Sequence, residues 1–385
     1  MADFIYLDHA ATTPLDPVVL ATMQPYFTEL FYNPSSHYAP AEANRRTLDA
    51  AREVCATLLN VRPSEIIFTS GGSESDNLAL KGVMAGWKNL GMERRHLITT
   101  PVEHHAVLYA AKNLEEQGYE VTYLPVDHTG RIDPAHVEQA IRPDTALISV
   151  MTANNEIGTL EPIAEIGKIA HHYGIPFHTD AVQAAGLLAL DLAALNLDLL
   201  SLSAHKFYGP RGVGLLYLRR GTPFASQIQG GSQERHRRAG TENLPGIVGL
   251  ATALRLAYRD LEENKRHVTR LRDKLIAGVA ERLPRAMLTG AEPPLRLPNH
   301  ASFCFREVNG EAILLGLEEY GILCSSGSAC AAGSTEPSHV LTALGLDEGL
   351  ARTAVRFTLG RTTTAAEIEC LLSILPEVVE RFVVG

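Results

Sequence analysis

The stretch LLSLSAHKFYGPRGVGLLYL, residues 199–218, holds two apolar runs on either side of a short polar, glycine-rich segment. The runs LLSLS (199–203) and GLLYL (214–218) have the length and apolar content of buried strands. The GPRGVG segment lies between two strands and does not open a helix, so it does not match a nucleotide-binding fingerprint. The stretch therefore predicts two strands of a buried sheet, with Lys206 just beyond the end of the first.

The same kind of alternation extends toward the N-terminus. Further strand-like runs are EIIFTS (65–70), HLITT (96–100), EVTYLPV (120–126), ALISVMT (146–152) and IPFHTD (175–180). Amphipathic helical patterns lie between them, such as 106–117 and 162–173, and Gly118 and Gly174 are suited to end them. Strands that alternate with helices predict an α/β fold with a mostly parallel central sheet.

A second pattern begins near Leu250. Apolar residues recur at helical spacings from Leu254 to Val279, which predicts one long helix that Pro284 ends. The segments after it are a strand (301–308), a helix (310–321), a strand (354–360) and a final helix that opens with a capping box, Thr364 to Glu367. We therefore expect a large α/β domain over 16–255 and a smaller α+β domain formed by 1–15 and 256–385.

Composition limits the possible classes of protein. The chain has 385 residues, 45% of them hydrophobic, and a formal net charge of −10, which argues against a nucleic-acid partner. The start has no secretory signal, and no apolar run is long enough to span a membrane. The five cysteines are scattered, which predicts free thiols in a cytoplasmic protein.

Polar residues that follow the predicted strands indicate the chemistry, because ligands collect beyond the carboxyl ends of strands in open α/β sheets. GGSESDN (71–77) follows one strand and suits an anion at a helix start, although an ordinary glycine-rich turn has the same composition. Asp180 and Lys206 follow two later strands. A lone acid or lysine there is more often a cap or a solvated charge, but a phosphate loop, a carboxylate and an amine together are what pyridoxal 5′-phosphate (PLP) requires.

Motifs over nearly the whole chain support this hypothesis. They are YLDHAATTP (6–14), FTSGGSESDN (68–77), EHHAV (103–107), NNEIG (154–158), HTDAVQ (178–183), SLSAHKFYGPRGVG (201–214), RRAGTEN (237–243), SSGSAC (325–330) and VRFTLGR (355–361). With them the sequence resembles the cysteine desulfurases of the nitrogen-fixation and iron–sulfur-cluster type, within the fold-type I PLP enzymes. The resemblance implies an enzyme that converts L-cysteine to L-alanine and passes the sulfur, as a protein persulfide, to an acceptor such as an iron–sulfur scaffold.

The resemblance also implies roles for individual residues. Lys206 would carry PLP as a Schiff base, Asp180 would meet the pyridine nitrogen, and His104 would stack on the ring. The remaining implied contacts are with the PLP phosphate (Gly72, Ser73, Ser203, His205 and, from the partner subunit of a homodimer, Thr241), with the phenolic oxygen (Asn155, Gln183) and with the substrate (Asn33, Asn155, Arg356). From the residues alone, a helix-start histidine is favoured for His104 and a turn residue for Asn155. For Arg356 the alternative is that it pairs with a structural carboxylate.

Cys330 is the predicted sulfur carrier. It lies in a segment of small residues, about 324–337, whose composition suits a loop that moves between the cofactor and an outside acceptor. Cys324 ends the apolar run YGILC and is predicted to be a packed side chain. A zinc site with His339 lacks a second pair of ligands, and a disulfide between the two cysteines is disfavoured in the cytosol. A transient iron–sulfur cluster on Cys330 is a further possibility that the family implies.

Two other functions are compatible with these motifs. A selenocysteine-preferring lyase or related elimination enzyme on the same scaffold needs no mobile thiol. A thiol-based sensor or scaffold that has kept the fold needs no cofactor. The sequence departs from the family at 71–73, where Gly-Gly-Ser replaces the commoner Gly-Ala-Thr. It also departs in the short segment after the last helix, so the resemblance does not imply how an iron–sulfur scaffold would dock.

Overall fold

A computed structural model describes residues 4–326 and 337–383 of the chain. Its strands are Ile5–Tyr6 (β1), Ile66–Thr69 (β2), His96–Thr99 (β3), Glu120–Tyr123 (β4), Thr145–Ser149 (β5), Phe177–Asp180 (β6), Leu199–Ser203 (β7), Gly214–Leu218 (β8), Ala286–Leu288 (β9), His300–Phe305 (β10), Ile322–Leu323 (β11) and Val355–Thr358 (β12). Its α-helices are Pro17–Met23 (α1), Pro25–Thr28 (α2), Ala39–Leu58 (α3), Gly72–Asn89 (α4), His105–Glu116 (α5), Pro134–Ala140 (α6), Ile163–Tyr173 (α7), Gln233–His236 (α8), Leu244–Arg259 (α9), Leu261–Arg282 (α10), Gly310–Glu319 (α11), His339–Ala343 (α12), Glu348–Ala351 (α13) and Ala365–Arg381 (α14).

The central sheet has the strand order β2-β8-β7-β6-β5-β3-β4. Strand β8 runs antiparallel to β2 and β7, and the other neighbours are parallel. The prediction of an α/β fold with a mostly parallel central sheet is confirmed. The seven strand-like runs of the sequence between residues 65 and 218 each correspond to one of these strands.

Both faces of the sheet are covered, which explains why strands such as β2, β7 and β8 carry apolar residues at consecutive positions. Side chains alternate between two faces along a strand. Leu200 of β7 faces a core shared with α3 and α9, and its neighbour Leu199 faces a core shared with α4 and α5. On β5, Ile148 faces the first of these cores and Leu147 faces the second.

A separate core lies in the C-terminal part of the chain. Antiparallel strands β12-β10-β9 pack with α10, α11 and α14, and Leu7 from the N-terminus is buried in the same cluster. Strand β1 pairs in parallel with β11. The division of the chain into 16–255 and a second unit of 1–15 with 256–385 stays a prediction.

The single long helix predicted beyond Leu250 is wrong. The structure has two helices, α9 and α10, which meet at Asp260, where φ is −104° and ψ is 13°. Leu254 is buried in the core of the large sheet, whereas Val268 is buried in the C-terminal core. The apolar spacing continues across the break because both helices bury one face, but those faces serve different cores. Helix α10 ends at Arg282, before Pro284 as predicted.

None of the helices in the described ranges combines the length and the apolar character that a bilayer span requires.

Candidate active site

A cavity of about 370 Å³ lies at the carboxyl ends of β6 and β7, between the first turns of α4 and α5. Predicted site residues that line it are Gly72, Ser73, His104, Asn155, Asp180, Gln183, Ser203, His205, Lys206 and Arg356. They come from segments that are far apart in the sequence and meet because parallel strands end at the same edge of the sheet.

Lys206 enters the cavity from a 3-10 turn, Ala204–Lys206, that directly follows β7. Its Nζ donates to the backbone carbonyls of Ala10 and, at 2.8 Å, Ala11. The YLDHAATTP segment thus folds back over the lysine. The same segment positions His205, whose Nδ1 lies 3.1 Å from Oγ1 of Thr12. Burial and the nearby positive charge of Lys206 lower the pKa of His205 to about 4, so this ring is neutral at physiological pH.

The glycine-rich loop leads directly into α4, an 18-residue helix whose N-cap is Gly71. A Cβ atom at Gly72 would lie 2.8 Å from Cγ2 of Val182, so a larger residue at this position requires the Val182 side chain to shift. Gly72 and Ser73 line the cavity, and the free N–H groups and dipole of the helix favour an anion there. The structure thus favours the anion-site interpretation of GGSESDN over an ordinary turn.

Asp180 ends β6 and is buried, with 6% of its surface exposed. Its Oδ1 accepts a hydrogen bond of 2.9 Å from the N–H of Val182. Burial raises the pKa of Asp180 to about 6, and the Val182 N–H and the charge of Lys206 oppose that shift. The carboxylate is therefore ionised near neutral pH, in the form that pairs with a protonated ring nitrogen.

His104 is both a helix cap and a cavity residue. It is the N-cap of α5, where its Nδ1 accepts a hydrogen bond of 3.1 Å from the N–H of Ala106. Burial, followed by the charge of Lys206, lowers the pKa of the imidazole to about 4. A neutral ring that lines the cavity is suited to stack on a planar ligand.

Arg356 lies on β12 with 1% of its surface exposed. Its Nη2 lies 2.7 Å from Oδ1 of Asp8, and its Nη1 donates to the carbonyl of Asn155 at 2.9 Å. The structural carboxylate partner considered from the sequence is thus present, and it is Asp8. Arg356 also lines the cavity, so this contact does not remove it from the predicted substrate site.

Two predicted residues among those described do not line the cavity. Asn33 is exposed and its side chain accepts from the N–H of Ser35, while Thr241 is exposed in the loop before α9. The contact of Thr241 with the PLP phosphate of the partner subunit, which the resemblance implies, stays a prediction. Cys330 lies outside the described residues. Cys324 packs against the C-terminal core, as predicted for an anchoring side chain.

Sequence reasoning missed several residues of the cavity wall. Asp76, His105, Glu156 and His339 all line it. The Nε2 of His339 lies 3.0 Å from the carbonyl of Glu103, and its ring centroid lies 4.6 Å from that of His105. Asp76 belongs to the motif FTSGGSESDN (68–77). Only its spacing of four residues from Gly72, which places both on one face of a helix, indicated that it lies at the same cavity.

Comparison with protein families gives a match to "Aminotransferase class-V" over residues 5–371. The chain belongs to this family. Among curated relatives, "Cysteine desulfurase IscS" of Methanosarcina thermophila is 48% identical over 98% of this chain and 92% of its own. "Cysteine desulfurase IscS" of Dictyoglomus turgidum is also 48% identical, over 98% and 95%. The family resemblance drawn from the motifs is confirmed.

Solved structures agree with this assignment. A "NIFS-LIKE PROTEIN" has a TM-score of 0.92 and 37% identity, covering 99% of this chain and all of its own. "SspA in complex with cysteine" has a TM-score of 0.81 and 40% identity, covering 94% of this chain and all of its own. The chain therefore has the fold-type I architecture of class-V aminotransferases, and it is a PLP-dependent enzyme.

The cavity fits PLP in its donor set. It offers an amine at Lys206, a buried carboxylate at Asp180 and a helix N-terminus at Gly72 and Ser73. Asp76 also lines it, and Oδ1 of Asp76 is a buried oxygen to which no described residue donates a hydrogen bond. An aromatic ring with a basic nitrogen on one side and a phosphate on another matches this distribution of groups.

Proposed function

We propose that this chain is a cysteine desulfurase that converts L-cysteine to L-alanine and retains the sulfur as a persulfide on Cys330. The observation that carries the proposal is the meeting of Lys206 and Asp180 in one cavity with the N-terminus of α4. The names of the relatives support the choice of reaction. The reaction balances without an oxidant or a reductant: the carbon–sulfur bond of L-cysteine breaks, the carbon gains a proton, and the protein thiol becomes a persulfide.

PLP, when bound, withdraws electrons from the substrate α-carbon. The residues of the chain have distinct tasks around it. Asp180 would hold the pyridine nitrogen protonated, the N-terminus of α4 with Ser203 and His205 would hold the phosphate, and Asn155 and Gln183 would contact the phenolic oxygen. These roles are supported by the positions of the side chains in the cavity wall.

Lys206 would carry the cofactor and then move the α-proton at its Nζ. The carbonyls of Ala10 and Ala11 accept hydrogen bonds from this nitrogen, so they orient the amine at the edge of the cavity. His104 would stack on the ring as a neutral imidazole. Arg356, with Asn155 beside it, would bind the substrate carboxylate, for which a planar guanidinium is well suited.

The working unit would be a homodimer. Thr241 and Asn33 are exposed and lie outside the cavity of their own chain, as residues that act across a subunit interface would. Phe27, Leu30 and Phe31 are large apolar side chains that are exposed close to Asn33. A patch of this kind favours burial against a second copy. A sulfur acceptor such as an iron–sulfur scaffold, a transient cluster on Cys330 and a cytoplasmic location stay predictions from the sequence.

Two measurements test the proposal. Purified protein should be coloured by bound PLP, and borohydride should trap the cofactor on a peptide that contains Lys206. Lys206→Ala should reduce L-alanine formation by at least about 1,000-fold, whereas Lys112→Ala, an exposed lysine on α5, should leave it unchanged. Retained activity in Lys206→Ala would remove Lys206 from its role, and colourless protein that stays so with added PLP would favour a sensor or scaffold.

A further inference from the structure

Asp76 is a carboxylic acid in the cavity wall for which the proposed reaction has no task. It begins the second turn of α4 and is 1% exposed. One side-chain oxygen or nitrogen of each of Asp76, Asp180 and His104 lies within 4.8 Å of those of the other two. No described residue donates a hydrogen bond to Oδ1 of Asp76. A buried carboxyl oxygen without a donor, next to a second buried carboxyl group, requires an explanation.

Two buried carboxyl groups this close do not both ionise readily, because each negative charge disfavours the other at low dielectric constant. The hydrogen bonds of the pair are unequal. Asp180 accepts from the N–H of Val182 at 2.9 Å, and the charge of Lys206 favours its ionised form. Asp76 has no such backbone donor at Oδ1. The unequal surroundings put the negative charge on Asp180 and the proton on Asp76.

The other groups around Asp76 do not reverse this order. His178, on β6, has its Nε2 3.7 Å from Oδ1 of Asp76, but its ring lies between the hydroxyls of Ser149 and Ser201, at 2.9 and 3.0 Å. Burial lowers the pKa of His178 to about 3, so it brings no positive charge. His104 is also neutral at physiological pH.

The remaining neighbours act on Asp76 in opposite directions. Glu103, from the loop after β3, adds to the effects of burial and of Asp180, and together they raise the pKa of Asp76 well above its ordinary value. A hydrogen bond from Ser201, on β7, acts in the opposite direction and is smaller than the effects of burial and Asp180.

We propose that Asp76 is a positioning residue for the cofactor: it retains the one proton of the Asp76–Asp180 carboxyl pair and so leaves Asp180 ionised opposite the pyridine nitrogen. The inference rests on the proposed role of Asp180. The proton stays on Asp76 when the cofactor enters, so the pair presents one negative charge to the ring, and the protonated ring nitrogen is balanced by one carboxylate. A neutral side chain of the same shape at position 76 should therefore preserve the cofactor site.

Infrared spectroscopy of the holoenzyme at neutral pH tests this directly. We expect a protonated-carboxyl band that moves in deuterated water, moves again when aspartate is labelled with ¹³C at its side-chain carboxyl, and is absent from Asp76→Asn. Glu161→Gln is the control, because Glu161 is a buried acid outside the cavity with its pKa raised to about 8. That variant should lose a band that the aspartate label does not move. In Asp76→Asn, PLP affinity should stay within about threefold of the wild type.

Identical protonated-carboxyl bands in the wild type and Asp76→Asn would overturn the proposal, as would a loss of PLP affinity of more than about tenfold in that variant. If Asp76→Asn does not fold, the infrared spectrum of the labelled wild type tests the proposal alone. The absence of a protonated aspartate band at neutral pH would contradict the proposal. The visible absorbance of the cofactor reports the proposed function separately. Asp180→Asn should lose that absorbance or bind PLP weakly, and normal PLP binding in that variant would contradict the role of Asp180.

Discussion

Arg356 and Asp8 form a buried ion pair, with Nη2 of the arginine 2.7 Å from Oδ1 of the aspartate. Their side chains are 2% and 17% exposed. The arginine expected to bind the carboxylate of the substrate is therefore already held by a carboxylate of the protein, and by the carbonyl of Asn155. The guanidinium group of Arg356 has five N–H donors, enough to bind Asp8 and a substrate carboxylate together. The structural and the substrate-binding interpretations of Arg356 are therefore compatible.

Asp8→Asn should lower the free energy of unfolding by about 3 kcal/mol, because it leaves the buried charge of Arg356 without its partner. A bound carboxylate ligand would replace the lost negative charge. We therefore expect saturating L-alanine, the proposed product, to raise the Tm of the Asp8→Asn holoenzyme more than that of the wild type. Thermal unfolding with and without L-alanine measures the difference.

Asp16→Asn is the matched control for this experiment. Asp16 pairs with Arg361, and neither residue lines the cavity. The variant should be less stable than the wild type, but its response to L-alanine should be the same. An equal response of Asp8→Asn and the wild type would mean that Arg356 has only a structural role.

Cys330→Ala should abolish the turnover of L-cysteine to L-alanine, because no other thiol of the chain is predicted to take the sulfur. Cys324→Ala should keep most of the activity, since Cys324 packs against the C-terminal core. Mass spectrometry after incubation with L-cysteine should find the additional sulfur on the peptide that contains Cys330. Full activity in Cys330→Ala would favour an elimination enzyme that needs no mobile thiol.

Gly72→Val should weaken PLP binding by about tenfold or more, because its Cβ would lie 2.8 Å from Cγ2 of Val182 and its two methyl groups would displace the start of α4. Equilibrium titration of the protein with PLP measures the loss. Val182→Ala removes the clashing methyl group, so the double variant should recover part of the affinity. Wild-type affinity in Gly72→Val would mean that the helix start is not the phosphate site.

Glu161 should make the protein less stable as pH rises. Burial raises the pKa of this carboxyl from 4.5 to about 8. Between these values the folded protein keeps a proton that the unfolded chain has lost, so the free energy of unfolding falls by up to about 1.4 kcal/mol per pH unit. Glu161→Gln should flatten this dependence, while Glu263→Gln, an exposed glutamate on α10, should not. Denaturant unfolding at several pH values between 5 and 8 measures both. A slope that is the same in Glu161→Gln and the wild type would show that Glu161 ionises normally.

Local sequence patterns predicted much of this structure. The apolar runs from EIIFTS to GLLYL each became a strand of the central sheet, because a strand buried on both faces needs apolar residues at consecutive positions. Gly118 and Gly174 end helices in left-handed conformations, at φ 85° and 63°. The Thr364–Glu367 capping box opens α14. The helix break at Asp260 was missed because apolar spacing does not report which core a helix face meets.

The α/β class, the sheet and the set of groups at the strand ends were predictable from the sequence, since these depend on spacings within a few residues. The contacts between distant groups became visible in the three-dimensional fold. Asp8 and Arg356 are 348 positions apart, and Ala10 lies 196 positions from the lysine it holds. Asp76 meets Asp180 because α4 begins, and β6 ends, at one edge of the sheet. These contacts depend on how the two cores close around the cavity, and no local pattern records that geometry.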